Sequence, residues 1–161
     1  MHKEFKIRGL MMDPINNSPI VILQEIKGDT LLPIWVGIFE ANAIALQIEK
    51  VDTPRPMTHD LLKNLLRQLE ADVAKIVVTE LKDNTFYALI VLKVKGKPVT
   101  IDCRPSDAIA LALRTDAPIF VSEDVIHKSK NVTPNKDSLE PDEVRRWLEN
   151  LNPDDIGKYT M

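Results

Sequence analysis

The sequence contains a single cysteine, Cys103, which excludes a disulfide within the chain and any metal site built from several thiolates. It also lacks a glycine-rich phosphate loop, a His-x-x-x-His pair and a nucleophile elbow. The first residues, Met1-His2-Lys3-Glu4-Phe5-Lys6, have no apolar core of the signal-peptide kind, and no apolar run approaches the length of a membrane span. Together with the lone cysteine, this leads to the expectation of a cytoplasmic protein with no membrane partner. The formal net charge of −3 argues against binding nucleic acid through bulk electrostatics, so any such contact needs a local basic patch.

What remains is the composition of an ordinary globular domain: 161 residues, 44% apolar and 28% charged. The expected arrangement is a main α+β body over residues 1–127. Residues 128–161 then supply a polar loop, a docking helix with Val144, Trp147, Leu148 and Leu151 on its apolar face, and a frayed tail.

The centre of the chain is Ile101 to Arg114, where a strand ends, the chain turns and a helix begins. Asp102 and Arg104 are two apart at the strand end and are expected to point the same way, with Cys103 opposite. Pro105 is read as the end of the strand, Ser106 as an N-cap, and Asp107 as a first-turn residue answering the helix dipole. Ala108 to Leu113 has no polar position, so this helix belongs in the middle of the molecule. A similar arrangement occurs earlier. Laying position 33 on position 98 matches Pro33 with Pro98, Asn42 with Asp107, and Ala43-Ile44-Ala45-Leu46 with Ala108-Ile109-Ala110-Leu111, which reads as either a duplicated strand-turn-strand-helix unit or a chance likeness of two alanine-rich helices.

Taken in order, alternation predicts strands over about 5–12, 20–26 and 31–36, a helix from Phe39 to Lys50, and a proline-stiffened loop to Met57. The next helix, capped by Thr58, places Leu61, Leu62, Leu65, Leu66 and Leu69 on one face, read as a cover for the core. His59, Lys63 and Arg67, spaced by four, form a basic edge on the other side. A hairpin from Val73 to Val94, a strand from Lys97, the central helix, a short strand at Ile119-Phe120-Val121 and a brief helical turn follow. The fold class is therefore α+β, with a mainly antiparallel or mixed sheet packed on central helices.

Three ordered blocks carry a family resemblance: Leu32-Pro33-Ile34-Trp35-Val36-Gly37 with Glu40-Ala41, then Arg55-Pro56-Met57-Thr58-His59-Asp60-Leu61, then Ile101 through Leu111. They resemble the successive blocks of the bifunctional nuclease family, and Leu151-Asn152-Pro153-Asp154-Asp155 is similar to the usual ending of its domain. The resemblance implies a compact α+β fold, cleavage of DNA and RNA in some members, and oligomers that are often dimers. Some relatives carry a further C-terminal helical module, which this sequence is expected to lack. No agreed catalytic set comes with the resemblance, so candidate sites rest on chemistry.

Hydrolysis of a phosphodiester needs an activated water, positive groups on the phosphoryl oxygens and a proton for the leaving oxygen. Glu40, Asp60, Asp102 and Asp107 are the candidate ligands for Mg²⁺ or Mn²⁺, each at a helix start or strand end. His59, with Asp60, Asp102 and Asp107, forms the candidate catalytic set, because imidazole titrates near neutrality. Arg55 and Arg104 are candidate phosphate clamps, with Lys63, Arg67 and Ser106 as further substrate contacts. Each has a plainer reading. Asp60 and Asp107 also serve as dipole partners, Asp102 and Arg104 as pins of the turn, and Thr58 and Ser106 as caps. Cys103 is read as a small packed hydrophobe, and Trp35 and Trp147 as core or interface anchors. Two functions stay open: a metal-assisted nuclease, or a non-enzymatic regulatory or scaffold domain that binds a small anion or protein partner. Two apolar helices and long apolar strands also lead to the expectation of a homodimer.

Overall fold

The computed structural model describes residues 1–14 and 17–129. Its elements run β1 (His2–Met12), β2 (Pro19–Glu25), β3 (Leu31–Trp35), α1 (Ile38–Ile48), α2 (Thr58–Gln68), β4 (Ala71–Lys82), β5 (Thr85–Val94), β6 (Lys97–Cys103), α3 (Pro105–Thr115), β7 (Ile119–Ser122) and α4 (Glu123–Ser129). The strands form one sheet in the order β3-β2-β1-β7-β4-β5-β6. Every pairing is antiparallel except that of β7 with β4. The fold is α+β with a mixed sheet. The apolar triplet Ile119-Phe120-Val121, too short to declare its partners in sequence, sits at the sheet centre and joins two antiparallel meanders.

Turn chemistry explains the β4–β5 hairpin. Asp83 and Asn84 both have positive φ, 51° and 58°, the conformation of a two-residue turn whose twist matches that of the strands, and Asp and Asn are among the residues that tolerate it. Strand alternation then sends Ile76, Val78, Ala88, Ile90 and Leu92 into one core with α3. Ile109 and Leu111 are fully buried there, each contributing roughly 1.5–3 kcal/mol by the transfer scale. Ala108, Ala110 and Ala112 are buried as well, and their small side chains let α1 and α2 pack closely on α3. Among the described residues, no helix is long and apolar enough to cross a membrane.

The two alanine-rich helices do repeat their setting. β1-β2-β3-α1 and β4-β5-β6-α3 are each an antiparallel meander followed by a helix, and they flank β7 on either side.

Four local expectations are corrected. The strand continues through Cys103, Arg104 takes the N-cap position and Pro105 is the first helical residue, so the proline opens the helix and Ser106 lies inside it. Met57, not Thr58, occupies the N-cap of α2. The leucine face of α2 is not a closed cover: Leu61, Leu62, Leu65 and Leu69 are exposed, and the residue this helix buries is His59. Lys128 and Ser129 belong to α4 rather than to a loop. The remaining polar stretch, the helix with Val144, Trp147, Leu148 and Leu151, and the ending at Asp155 lie outside the described residues.

Candidate functional site

Strand alternation holds only as far as Cys103. Its thiol faces the core and donates to the Ala88 carbonyl at 3.6 Å, while Asp102, paired with Leu89, lies exposed on the other face of the sheet. At Arg104 the backbone turns into α3 and its side chain leaves the strand pattern. It therefore does not accompany Asp102 as the spacing suggested. Its Nε donates to Asp107 Oδ2 at 2.9 Å, and Nη2 lies 2.8 Å from both Asp107 Oδ2 and Glu40 Oε1. Hydrogen bonding and charge from Asp107, then the charge of Glu40, raise the Arg104 pKa further and keep the guanidinium protonated.

Asp107 has a second partner. Its Oδ1 lies 2.9 Å from His59 Nε2, and His59 is only 7% exposed. With the carboxylate accepting from Nε2–H, Nδ1 of the neutral ring carries the free lone pair. Three helices thus meet through side chains: Glu40 from the first turn of α1, His59 from that of α2, and Arg104 and Asp107 from the start of α3. Gly37, before α1, leaves room for this. A Cβ there would collide with the Glu40 carboxylate, which folds back over the helix start to reach Arg104.

The group opens onto a cavity of about 340 Å³ whose walls include Phe39, Asn42, Met57 and Thr58 beside Glu40, His59, Arg104 and Asp107. Most of its lining is apolar, with the charged residues gathered on one side, a composition typical of ligand clefts.

Asp60 is not part of this group. Its Oδ2 accepts from the Met57 N–H at 2.9 Å and its Oδ1 from Arg114 Nε at 2.8 Å. Partial burial alone pushes Asp60 up, but the Met57 and Arg114 contacts together hold its carboxyl below the usual range. Arg114, with 3% of its side chain exposed, also donates to the carbonyls of Ala110 and Ala43, so it ties α1, α2 and α3 together. Sequence reasoning gave Arg114 no role. Its signal was there, as the one charge in the otherwise apolar second half of the central helix.

The other candidates scatter. Arg55 is exposed in the loop before α2. Lys63 and Arg67 line a separate cleft with Glu70, Asp72 and Asp116, where acidic neighbours offset the basic edge. Ser106 is buried beside a third cleft near Trp35 and Phe86. Trp35 is partly exposed and donates its indole N–H to Asp13 at 3.1 Å. Burial, then Asp102 and Asp107, push the Cys103 thiol up to about 11, so it stays protonated near neutrality. The four expected metal-ligating carboxylates do not converge, and no group of three or more His, Cys, Asp or Glu side chains is placed to hold an ion among the described residues.

A family model described as the bifunctional nuclease domain matches residues 21–134, a span that contains all four residues of the cluster. The chain belongs to the bifunctional nuclease domain family. An uncharacterised protein of Mycobacterium tuberculosis is 35% identical over 162 residues, an alignment covering 95% of this chain and 97% of that protein. Bifunctional nuclease 1 of Oryza sativa subsp. japonica is 25% identical over 122 residues, 74% of this chain and 37% of the rice protein. Bifunctional nuclease 2 of Arabidopsis thaliana is 29% identical over 110 residues, 66% of this chain and 33% of the plant protein. The domain shared with the plant nucleases is thus about a third of their length, whereas the mycobacterial relative matches nearly end to end.

Proposed function

We propose that this domain hydrolyses phosphodiester bonds of DNA or RNA in the cleft between Glu40, His59, Arg104 and Asp107. The observation that carries the reading is a buried imidazole oriented by Asp107 with a guanidinium beside it, at a cavity, in a chain of the bifunctional nuclease family. Asp107 fixes the orientation and tautomer of the ring, as an orienting carboxylate does in other acid–base pairs. His59 Nδ1 takes a proton from the attacking water as oxygen adds to phosphorus. The bond to the leaving sugar oxygen breaks, and the proton returns to that oxygen. Arg104 stabilises the charge on the phosphoryl oxygens; its ion pairs use Nε and Nη2, leaving Nη1 for phosphate.

Glu40, Asp60, Asp102 and Asp107 are the carboxylates expected to hold Mg²⁺ or Mn²⁺. As they stand, Glu40 and Asp107 both turn to Arg104, Asp60 turns to Arg114, and Asp102 lies elsewhere, so these residues do not form a cage for an ion. The test is cleavage of labelled DNA and RNA oligonucleotides by purified protein in EDTA and in added Mg²⁺ or Mn²⁺, beside an Arg104→Ala variant. Cleavage that falls at least tenfold in the variant supports the site. Equal cleavage by both proteins removes it.

A second reading, a scaffold or regulatory domain binding a small anion or protein partner, is favoured by one observation. Arg104 is already shared between two carboxylates, and no buried side-chain nitrogen or oxygen among the described residues lacks a partner, which is how a pin between helices looks. Under either reading we propose a homodimer, supported by the exposed leucines of α2 and by Val99 and Ile101 on β6. Light scattering during size exclusion should give twice the chain mass at micromolar concentration, and a clean monomer contradicts the pairing.

A further inference from the structure

The cleft beside Ser106 differs in charge from those of His59 and Lys63. Its volume is about 260 Å³, and its walls include Trp35 from the end of β3, Asn84 and Phe86 from the β4–β5 hairpin, and Arg104 and Ser106 from the start of α3. Carboxylates line both of the other clefts. In this wall Arg104 is the one charged residue among the described residues, and Glu40 and Asp107 line the His59 cleft instead.

The start of α3 is open on this side. It has no side-chain N-cap, and its first helical hydrogen bond runs from the Ala108 N–H to the Arg104 carbonyl. The N–H groups of Ser106 and Asp107 therefore stand ahead of the ladder, at the positive end of the dipole. Many helix starts look like this and meet only water. Ser106 adds the deciding group. It is 6% exposed, and its hydroxyl makes no hydrogen bond among the described residues, although every fully enclosed side-chain nitrogen or oxygen there has a partner. The hydroxyl is thus open to the cleft it lines and not sealed in the core. A polar group left unbonded at that depth is costly, and a hydroxyl beside helix N–H groups and a guanidinium suits phosphate.

An aromatic pair stands in the same wall. Trp35 is 37% exposed, with its indole N–H tied to Asp13, and Phe86 rests half-buried on the core. Both also line a neighbouring cleft of about 310 Å³ with Asn84, whose carboxamide makes no hydrogen bond among the described residues. Flat apolar rings beside an amide that both donates and accepts suit a heteroaromatic base.

We propose that this cleft binds one nucleotide, its phosphate on the Ser106 hydroxyl and the first turn of α3 and its base against Trp35 and Phe86. Arg104 lines both this cleft and that of His59, so a strand seated here presents its next phosphodiester bond to the imidazole. The choice of a nucleotide over another phosphorylated aromatic ligand rests on the phosphodiesterase reading.

Heteronuclear NMR of the full chain, with AMP, adenosine and inorganic phosphate as probes, tests the site. AMP should shift the Ser106 and Asp107 amides and the Trp35 indole N–H in one saturable process, at least about tenfold tighter than adenosine or phosphate alone. Ser106→Ala, checked for folding by its urea midpoint, should weaken AMP and phosphate about tenfold and leave adenosine unchanged. Trp35→Leu should weaken AMP and adenosine but not phosphate, and Trp35→Phe should retain all three; this pair reads the site without touching α3. No saturable shift with millimolar AMP, AMP no tighter than phosphate, shifts confined to the His59 cleft, or equal AMP affinity in Ser106→Ala and wild type overturns the proposal. Oligonucleotide cleavage is scored separately. AMP binding here without cleavage removes the hydrolytic reading alone, and cleavage without AMP shifts removes the nucleotide site alone.

Discussion

The two halves of the molecule follow one plan and spend it differently. In β1-β2-β3-α1 the edge strand β3 is mostly buried and its helix is apolar but for Glu40, Asn42 and Gln47. In β4-β5-β6-α3 the edge strand β6 is exposed almost throughout, and the helix carries a charge at each end: Asp107, bonded to His59, and Arg114, bonded to Asp60. Where the second half has Asp107, the first has Asn42. The first half thus supplies core and one carboxylate. The second supplies the same core and also two polar anchors that hold α2 by its first turn, which explains how a helix can keep its leucines exposed.

The largest way to break this comparison is at the Arg114 end. Asp60→Ala leaves a guanidinium buried without its counter-charge and should cost about 3 kcal/mol, read as a lower urea midpoint at unchanged slope. A shift under half that size would mean that α2 is held by something other than its anchors. The pH dependence sharpens the point. A depressed carboxyl contributes stability above its unfolded value and loses it as pH falls through the folded one, so the gap between wild type and Asp60→Ala should be full near neutrality and close below about pH 4. A gap that persists in acid would contradict the ion pair.

Much of the fold was legible. Period-two alternation located the strands, and six residues without a polar side chain marked α3 as central. The errors came where one pattern supports two geometries. Pro105 ends a strand or opens a helix with equal ease, and only the position of Arg104 in space decides between them. The leucine stripe of α2 satisfies the rule for a buried face, yet the neighbouring helix uses polar contacts instead. At the site, sequence reasoning named Glu40, His59, Arg104 and Asp107, but it could not separate them from Asp60 and Asp102. Asp60 differs from its neighbour His59 only in the helix face it occupies, while strand alternation leaves Asp102 on the other face of the sheet and the turn into α3 at Arg104 parts the two. Partners distant in sequence, such as Arg114 for Asp60, leave no mark on local periodicity.

A gentler break comes from the leucines. Leu65→Gln and Leu69→Gln change exposed positions and should alter the unfolding free energy by no more than about 0.5 kcal/mol in dilute protein. A loss of 2 kcal/mol or more there would restore the covering role that the stripe suggested. Smaller still, Gly37→Ala should displace the Glu40 carboxylate from Arg104 with little change in stability, raising KM for an oligonucleotide a few-fold; an unchanged KM would show that Glu40 does not set the position of Arg104. The smallest effect is expected at Cys103. Its raised pKa predicts slow alkylation by iodoacetamide near pH 8, and labelling as fast as a free thiol would contradict its burial against Ala88.

The central claim, that the second half supplies on α3 the carboxylate that orients the acid–base imidazole of α2, is tested most directly by Asp107→Asn in the oligonucleotide cleavage assay. The carboxamide keeps the shape but removes the charge that orients His59 and pairs with Arg104. With circular dichroism and the urea midpoint showing a folded protein, kcat should fall by about a hundredfold or more. A variant as active as wild type would contradict the account, since the cleavage would then come from elsewhere on the protein or from a contaminant.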